Sequence, residues 1–253
     1  MSAIDMRTLV VVPTYEEATN ITELLQRTRA AAPDVDVLVV DDNSPDGTAT
    51  LAQALGDELG HVEVLVRQEK SGLGTAYRAG FAIGIDRGYD VILQMDADLS
   101  HDPAAIPALV NGLVDGVGLV IGSRYVPGGS IPHWPWHRRA LSRYGNLYTR
   151  LALGLKVRDL TSGFRAWKAT TLVDIDYQTT HATGYLFQME MAYRVDRHHE
   201  AIGEVPITFT DRVRGTSKMS GAVVFEELTR VTWWGLRDRV IRRRRATPPV
   251  PTG

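Results

Sequence analysis

Short runs of apolar, β-branched residues alternate with longer amphipathic stretches over the first half of the chain. Five runs are apolar enough to predict strands that are buried on both faces. These runs are Thr8–Val12, Val35–Val40, Val62–Val66, Asp90–Met95 and Gly118–Gly122. Strands that alternate with helices usually pair in parallel through right-handed crossovers. The pattern therefore predicts an α/β fold with a Rossmann-like, mostly parallel, doubly wound sheet.

The amphipathic stretches between these runs predict the helices that cover the sheet. Asn20 can cap the first helix, with Glu23 three residues later in the capping pattern. The second helix has apolar residues four apart at Leu51, Leu55 and Leu59. The third and fourth helices are expected at Leu73–Arg87 and Pro103–Val114. The second half of the chain is less regular and is interpreted as an extension of the same domain.

Composition narrows the class of protein without selecting a function. The chain has 253 residues, of which 44% are hydrophobic and 23% charged, and its formal net charge is −2. These values are ordinary for a globular α/β domain and give no support for nucleic-acid binding. The absence of cysteine excludes disulfides and cysteine-ligated metals, and it suits a cytosolic location. No secretory signal is visible, and no uncharged apolar stretch approaches the length of a membrane span.

Tryptophans and arginines are concentrated in two segments. Trp233 and Trp234 precede six arginines between residues 237 and 245, and Ile131–Trp136 places two tryptophans before another arginine cluster. Tryptophan beside arginine is typical of elements that lie in a membrane interface. We therefore predict an amphipathic membrane-interface helix over residues 221–245, with a disordered tail at 246–253. The alternative is that these tryptophans belong to the core.

Asp96 and Asp98 stand one residue apart at the end of the fourth predicted strand. Carboxylates that follow an apolar run favour a divalent metal and a sugar or ribose hydroxyl as partners. The alternative is that Asp simply suits the turn at the end of a strand. Pro13–Tyr15 and Asp41–Asp42 also follow parallel strands, so all three segments should meet at one crevice. Because no glycine-rich phosphate loop is present, metal and cationic side chains must neutralise the phosphates.

Six segments in unbroken order resemble one known family. They are Val12–Glu17, Val39–Thr48, Gly72–Gly74, Met95–His101, Gly122–Tyr125 and Arg212–Lys218. Together they are similar to glycosyltransferase family 2, and specifically to the polyprenol (dolichol) phosphate mannose synthases. The resemblance implies a GT-A catalytic domain over residues 1–220, GDP-mannose as donor and Mg²⁺ or Mn²⁺ as cofactor. It also implies a polyprenyl phosphate acceptor and an inverting transfer that gives a β-linked product.

The resemblance carries donor-site roles to particular positions of this sequence. The donor-binding residues would be Pro13, Tyr15, Glu17, Val39, Asp41, Asp96, Ala97, Asp98, Arg124, Arg212 and Lys218. Tyr15 can lie against the base, and Asp41 can accept from a ring N–H, although Asp42 is the alternative to Asp41 at this position. The metal would be held by Asp96, Asp98 and Ser100. Some relatives have Gln where Ser100 stands, so this hydroxyl would be a weaker ligand or would act through water.

The resemblance also implies an acceptor side. Arg124, Arg138 and Ser142 match residues that hold the acceptor phosphate, and with Asp98 the two arginines form the expected catalytic set. The phosphate is largely ionised near neutral pH, so no general base is needed. The alternative for Arg138 is a place on a solvated helix face. Asp159–Arg165 also resembles a family stretch, which is expected to shape the acceptor side. The alternative is that Asp159 and Arg165 pair with each other.

A lipid acceptor implies a membrane surface as partner and a peripheral position at the cytoplasmic face. An integral membrane protein is a further plausible partner, since several family members rely on membrane spans or membrane subunits. A polyprenyl phosphate glucosyltransferase that uses UDP-glucose is the close alternative. A processive polysaccharide synthase is disfavoured because the chain has no Q-x-x-R-W sequence. A nucleotide-sugar-binding regulator is disfavoured because both the metal carboxylate and the acceptor cations are present.

Overall fold

The computed structural model describes residues 6–180, 182, 184–211 and 229–237 of the chain. Seven strands in this part form one sheet, in the spatial order β3-β2-β1-β4-β6-β5-β7. They are β1 (Thr8–Thr14), β2 (Asp36–Asp41), β3 (Val62–Val66), β4 (Val91–Gln94), β5 (Val117–Ser123), β6 (Arg165–Lys168) and β7 (Ala201–Pro206). All neighbouring strands are parallel except at β6, which is antiparallel to both β4 and β5. The predicted α/β class with a mostly parallel sheet is confirmed.

Helices cover both faces of this sheet. They are α1 (Ile21–Ala31), α2 (Thr48–Leu59), α3 (Leu73–Asp86), α4 (Ile106–Asn111), α5 (Trp136–Leu153), α6 (Ala169–Asp174) and α7 (Gly184–Arg197). Residues of α3 and α7 pack in one hydrophobic cluster, and residues of α1, α2 and α4 pack in the other. Successive residues of β1 alternate between these clusters, so that Leu9 and Val11 enter the first while Val10 and Val12 enter the second. This alternation explains the continuous apolar runs, because both faces of the strands are buried.

The strands of the first half lie close to their predicted positions, whereas β6 and β7 were missed. Val62–Val66 and the start of β1 agree with prediction, and β1 continues through Pro13 to Thr14. The four residues of β6 include Arg165 and Lys168, which hide the strand from a search for apolar runs. In β7, most residues are only partly buried because it is the edge strand beside β5. Burial at these positions is set by neighbours that are distant in sequence.

Three predictions about the helices were wrong in detail. The side chain of Asn20 donates to Glu17 and does not cap α1. In α2, Leu51 is 42% exposed, because small residues such as Ala52 face the sheet instead. The predicted helix Pro103–Val114 is a 3₁₀ turn at Pro103–Ala105 followed by α4, which ends at Asn111. Periodicity locates these helices, but the packing partner selects the buried face.

Residues 229–237 form a helix that packs on α5 and α7. Val231 is fully buried, and the Trp234 ring stacks on Tyr193 with the ring centroids 5.9 Å apart. Trp233 instead is exposed, with the Arg237 guanidinium 5.0 Å from its ring centroid. The remainder of the predicted interface helix and the 246–253 tail lie outside the described residues. None of the described helices has the length and apolar character needed to cross a bilayer.

Candidate active site

The carboxyl ends of the central parallel strands bring the predicted donor and acceptor segments to one edge of the sheet. In β1, Thr14 is paired with Asp41 at the end of β2, and β4 lies on the other side of β1. Arg165, at the start of β6, lies between Gln94 of β4 and Ile121 of β5. Strand order reverses between β1 and β4, which is where ligands bind in open α/β sheets. The predicted donor segments lie at β2, β1 and β4, and the predicted acceptor segments lie at β5 and β6; these two parts of the crevice are called the donor half and the acceptor half.

Asp96 and Asp98 follow β4 at the centre of this edge. Asp96 is partly exposed, and its Oδ1 accepts a hydrogen bond of 3.0 Å from the hydroxyl of Tyr77. Asp98 is largely buried, and its Oδ1 accepts hydrogen bonds from the backbone N–H and the hydroxyl of Ser100. Both carboxylates are thus oriented by neighbouring donors. The residue between them, Ala97, is buried in the core below the edge.

The turn that carries these carboxylates is anchored from beneath by His101. Its side chain is 1% exposed, and its Nδ1 accepts a 3.3 Å hydrogen bond from the backbone N–H of Asp96. The imidazole stacks on Phe164, with the ring centroids 5.0 Å apart. His101 therefore anchors the loop that carries the two carboxylates.

Burial also prepares Tyr77 to act as a fixed donor to Asp96. The Tyr77 ring is completely buried and stacks against Phe81 and Phe187. Burial, followed by the negative charge of Asp96, raises the pKa of Tyr77 well above its ordinary value. The phenol therefore keeps its proton, and it donates to the carboxylate throughout the physiological pH range.

The two aspartates at the end of β2 point to opposite sides of the sheet. Asp41 is fully buried, where it accepts hydrogen bonds from Thr14 at 2.7 Å and from the backbone N–H of Ser44 at 2.8 Å. Asp42 instead pairs with Arg67, whose Nη1 lies 2.8 Å from its Oδ1. Asp41 therefore holds the turn that follows β2, and Asp42 holds the segment that leads to α3. Both aspartates lie in the donor half. The assignment of Asp41, with Asp42 as the alternative, to the contact with the base stays a prediction.

The other predicted donor contacts are spread around the end of β1. Pro13, Tyr15 and Glu17 are partly exposed, whereas Val39 is fully buried in the core two residues before the end of β2. The ammonium group of Lys70 lies 3.4 Å from the centroid of the Tyr15 ring. A cation over the ring occupies one face of Tyr15, so a base that stacks there would use the opposite face or displace Lys70.

Arg124 follows β5 and is held firmly in the acceptor half. It is only 7% exposed, and its Nε and Nη2 each donate to a different oxygen of Asp159 at 2.7 Å. Its backbone N–H also donates to Asp159, at 3.0 Å. Burial opposes the charge of Arg124, but the Asp159 carboxylate outweighs that effect and raises the pKa of Arg124 above its ordinary value. The guanidinium is therefore permanently charged and fixed in orientation.

Arg138, in the first turns of α5, is paired more loosely. Its Nη1 lies 2.9 Å from a carboxylate oxygen of Asp211, and its guanidinium lies 4.0 Å from the ring centroid of Trp134. The side chains of this pair are 37% and 40% exposed. Exposed pairs of this kind contribute little to stability, so a bound anion can replace Asp211 at small cost. Arg138 is not simply on a solvated helix face, because its guanidinium packs on the ring of Trp134, and Arg124 lies near the same ring.

Ser142 and Asn146 line the inner face of α5. The hydroxyl of Ser142 accepts a 2.6 Å hydrogen bond from Tyr125, the residue after Arg124. Asn146 is buried, its Oδ1 accepts from the backbone N–H of Leu160, and its amide donates to Thr161. The helix is thereby tied to both the segment after β5 and the segment before β6. Sequence reasoning missed Asn146, because a single polar residue in a helix carries no signal of burial.

Of the two alternatives for Asp159 and Arg165, the one in which they pair with each other is excluded by their hydrogen bonds. Asp159 holds Arg124, as described above, whereas all three hydrogen bonds of the Arg165 guanidinium go to backbone carbonyl oxygens. Both side chains are fully buried, but they serve different partners. Both Arg124 and Arg165 are candidate partners for Asp159 in the sequence. The antiparallel placement of β6 in the sheet decides between them.

Several predicted site residues are brought together and two are not described. Asp96, Asp98 and Ser100 meet at the centre of the edge, and Arg124, Arg138 and Ser142 meet in the acceptor half. Arg212 and Lys218 lie outside the described residues. Sequence reasoning also missed Tyr77, Lys70 and Asp211, whose roles depend on contacts between distant segments.

The carboxylate oxygens of Asp96 and Asp98 are suited to bind a divalent cation that also binds a diphosphate. Carboxylate oxygens are hard ligands of the kind that Mg²⁺ and Mn²⁺ prefer. Within the described residues, no group of three or more histidine, aspartate or glutamate side chains forms a complete metal cage. Mg²⁺ is commonly held by one or two carboxylates together with substrate phosphates, so an incomplete protein cage is compatible with this role.

Comparisons with known proteins agree on one family. A family model described as glycosyl transferase family 2 matches residues 9–173. The chain is 46% identical over 240 residues to the polyprenol monophosphomannose synthase of Mycolicibacterium smegmatis, covering 94% of this chain and 90% of that protein. It is 49% identical over 234 residues to the undecaprenyl-phosphate mannosyltransferase of Micrococcus luteus, covering 92% and 96%.

A solved structure supports the fold. The glucosyl-3-phosphoglycerate synthase of Mycobacterium tuberculosis, in complex with Mn²⁺ and UDP-glucose, is similar with a TM-score of 0.65. The similarity covers 93% of this chain and 80% of that one, at 20% sequence identity. At this identity the likeness concerns the backbone architecture alone, and it covers more of the chain than the matched family segment.

Proposed function

The chain belongs to glycosyltransferase family 2, and from this premise we propose that it transfers mannose from GDP-mannose to a polyprenyl monophosphate. The observation that carries the proposal is the joint placement of Asp96 and Asp98 with a buried, permanently charged Arg124 at one edge of the sheet. One half is suited to a metal diphosphate and the other to a phosphate monoester. Relatives at 46% and 49% identity are named for mannose transfer to polyprenyl phosphates, which supports this pairing of substrates.

The donor half would bind the nucleotide sugar through the residues around β1, β2 and β4. Asp98, with Asp96 beside it and Ser100 orienting it, would hold Mg²⁺ or Mn²⁺. The bound cation would neutralise charge on the diphosphate leaving group. Tyr15 lies at the end of β1 for contact with the base, while Pro13, Glu17, Val39, Asp41 and Ala97 complete the proposed donor set. Arg212 and Lys218 are proposed to assist at the diphosphate.

The acceptor half would present the lipid phosphate as the nucleophile. A phosphate monoester with a second pKa near 6 is largely dianionic at neutral pH, so no side chain has to remove a proton. Arg138 can exchange its exposed partner Asp211 for the phosphate, whereas the buried Arg124 keeps Asp159 and supplies fixed positive potential. Ser142 lies beside them on α5. The site thereby brings together two anions that would otherwise repel each other.

The proposed reaction is a single displacement at the anomeric carbon of mannose. A phosphate oxygen of the lipid forms a bond to the anomeric carbon, while the bond from that carbon to the diphosphate oxygen breaks and GDP leaves. Attack from the face opposite to the leaving group inverts the anomeric configuration. The donor half and the acceptor half meet between β4 and β6, which is compatible with such an in-line approach.

We expect wild-type protein with Mg²⁺ or Mn²⁺ to transfer label from GDP-[¹⁴C]mannose to polyprenyl phosphate. The measurement is radioactivity extracted into organic solvent, in parallel reactions that contain UDP-[¹⁴C]glucose, lack the lipid or contain excess EDTA. Label transfer from UDP-glucose alone would replace the mannosyl assignment by a glucosyl one. Failure of both donors with intact, metal-replete protein would contradict the proposed function.

A lipid acceptor requires contact with a membrane, and the outer face of α5 is suited to it. Its buried residues include polar Asn146 and Thr149, while large apolar residues point outward, so the helix is inverted relative to an ordinary surface helix. Leu141, Tyr144 and Leu151 are 58%, 69% and 62% exposed. An exposed apolar stripe of this kind typically marks an interaction surface.

Charge around the stripe favours an anionic bilayer as the occupant. Arg139 and Arg143 are exposed beside it, and the exposed Trp233 extends it on the neighbouring helix. Apolar residues among arginines suit the boundary between acyl chains and anionic head groups. Because the inner face of α5 carries Arg138 and Ser142, docking would place the acceptor half beside the lipid phosphates. We propose peripheral association at the cytoplasmic face, which the absence of cysteine suits.

Replacement of Leu141, Tyr144 and Leu151 together by serine is expected to weaken binding to anionic vesicles about a hundredfold. Burying each side chain in the interface contributes roughly 1 kcal/mol, and every 1.4 kcal/mol is tenfold in affinity. Cosedimentation with phosphatidylglycerol vesicles measures the change, and Val173→Ser is the control because Val173 is also exposed but lies on α6. Unchanged cosedimentation would contradict this surface, and association with native membranes alone would indicate an integral membrane partner.

A further inference from the structure

The segment Asp159–Arg165 spans the crevice between its donor and acceptor halves. At one end, Asp159 grips Arg124 through both carboxylate oxygens. Near the other end, Gly163 lies against Asp96, so closely that an added Cβ would stand 2.9 Å from Asp96 Oδ2. A single stretch of seven residues therefore contacts one principal group of each half.

Arg165 holds the shape of this segment from within the core. Its side chain is completely buried, and its Nε and Nη2 donate to the carbonyl oxygens of Ser162 and Leu160 at 2.8 Å. Its Nη1 donates to the carbonyl oxygen of Gln188 on α7, at 2.7 Å. One planar guanidinium thus fixes two carbonyls of the segment relative to a helix of the core. A lysine ammonium could not reproduce three donors in this fixed fork.

The burial of this cation is costly and is not offset by a direct carboxylate contact. Burial lowers the pKa of Arg165 to about 9, with the nearby negative charge of Asp159 acting in the opposite direction. A hydrophobic residue of similar size would avoid that cost, but it would leave three carbonyl groups without donors. The buried arginine is therefore explained by the backbone conformation of Asp159–Arg165, which its three hydrogen bonds hold in place.

We propose that Asp159–Arg165 fixes the separation between the donor carboxylates and the acceptor arginine, with Arg165 and Gly163 as its positioning residues. This inference rests on the proposed function, because it assigns the two halves to two substrates. Misplacement of reacting groups by about 1 Å can lower a rate a hundredfold. The segment is short, buried and held at both ends, so it can define that distance closely.

Gly163→Ala tests the donor end of the segment. Gly163 does not have a left-handed backbone, so alanine is tolerated there and its methyl group must displace the Asp96 carboxylate. We expect kcat to fall about a hundredfold and the Kd for Mn²⁺, measured by calorimetry with GDP present, to rise at least tenfold. The KM for polyprenyl phosphate should change less than twofold, because Arg124 and Asp159 are untouched.

Gly112→Ala is the matched control for a crowded glycine. An added Cβ at Gly112 would lie 3.0 Å from a methyl carbon of Val120, which is a packing contact in the core with no site residue involved. This variant should keep the kcat and the Mn²⁺ affinity of the wild type. If Gly163→Ala also kept both, or if Gly112→Ala lost them equally, the positioning role of Gly163 would be excluded.

Arg165→Lys tests the middle of the segment, with Arg194→Lys as its control. Arg194 also donates to several backbone carbonyls, those of Ile175, Asp176 and Thr179, but it does so on α7, and none of its contacts involves a site residue. We expect Arg165→Lys to lower kcat at least tenfold and Arg194→Lys to change it less than twofold, with both melting temperatures recorded. Equal effects on kcat would refute the proposal for Arg165.

The outcomes separate this inference from the proposed function. If wild-type protein forms no lipid-linked mannose, the proposed function fails, yet the Mn²⁺ affinity of Gly163→Ala still reports whether Gly163 positions Asp96. If wild-type protein is active and Gly163→Ala matches it in kcat and Mn²⁺ affinity, the positioning role fails while the function stands. If Arg165→Lys does not fold, Gly163→Ala decides alone.

Discussion

Asp98→Ala is expected to lower kcat for mannosyl transfer by at least about a thousandfold while leaving the protein folded. A metal held at the leaving group contributes several kcal/mol to the transition state, and about 4 kcal/mol corresponds to a factor of a thousand. The fold should survive because the hydrogen bonds that Asp98 accepts from Ser100 lie within the turn after β4 and not within the core. The measurements are initial rates at saturating substrates, circular dichroism and the affinity for Mn²⁺ in the presence of GDP.

Asp98→Asn separates the metal role from a role in the turn. The amide oxygen of asparagine can accept the same hydrogen bonds from Ser100, but the side chain is neutral and a much weaker ligand. We expect this variant to be nearly as inactive as Asp98→Ala, whereas Asp115→Ala, at an exposed position before β5, should be fully active. Substantial activity of either Asp98 variant with metal present would show that other groups stabilise the leaving diphosphate.

Asp159→Asn is expected to reduce the free energy of unfolding by about 3–5 kcal/mol, because it leaves the buried Arg124 without a counter-charge. Urea denaturation at neutral pH measures this loss. Asp211→Asn breaks the exposed Arg138–Asp211 pair and should cost less than about 1 kcal/mol. A double variant that combines Arg124→Met with Asp159→Asn should recover part of the stability, since no unpaired charge remains. Equal losses in the Asp159 and Asp211 variants would contradict the importance of burial.

The same pair predicts a dependence of stability on pH. Burial opposes ionisation of Asp159, but the guanidinium of Arg124 outweighs it and lowers the pKa of Asp159 below the ordinary carboxyl value of 3.8. Because the folded-state pKa is below the unfolded value, the contribution is complete above pH 3.8 and is lost as pH falls through the folded-state pKa. The stability difference between wild type and Asp159→Asn should therefore be constant near neutrality and shrink only in strong acid.

The donor half could be predicted largely from local sequence. Asp96 and Asp98 follow an apolar run, and parallel strands place their carboxyl ends at one edge, so a pattern of runs and turns is enough to bring them near Tyr15 and Asp41. Orientation at this edge required the structure. The position of Tyr77, nineteen residues before Asp96, depends on how α3 packs on the sheet.

The charged residues of the acceptor half could be identified from motifs, but their ion-pair and hydrogen-bond partners could not be predicted. Arg124, Asp159 and Arg165 are all candidates from their motifs, but the only pairing that the motifs suggested for Asp159, with Arg165, does not form. The two arginines lie 35 and 6 residues from Asp159, and sequence distance favoured the nearer one. Strand β6 runs antiparallel between β4 and β5, which directs Arg165 to backbone carbonyls and leaves Asp159 facing Arg124.

The sequence by itself determined the α/β class, the family and the edge of the sheet at which the chemistry lies, because these follow from periodicity and from contiguous motifs. Only the tertiary structure decided which charges are paired, which face of α5 is exposed and how the donor carboxylates are spaced from Arg124. The physical reason is that burial and ion pairing depend on contacts between segments far apart in the chain. Hydrophobic periodicity records which local segments are buried, but it does not record their partners.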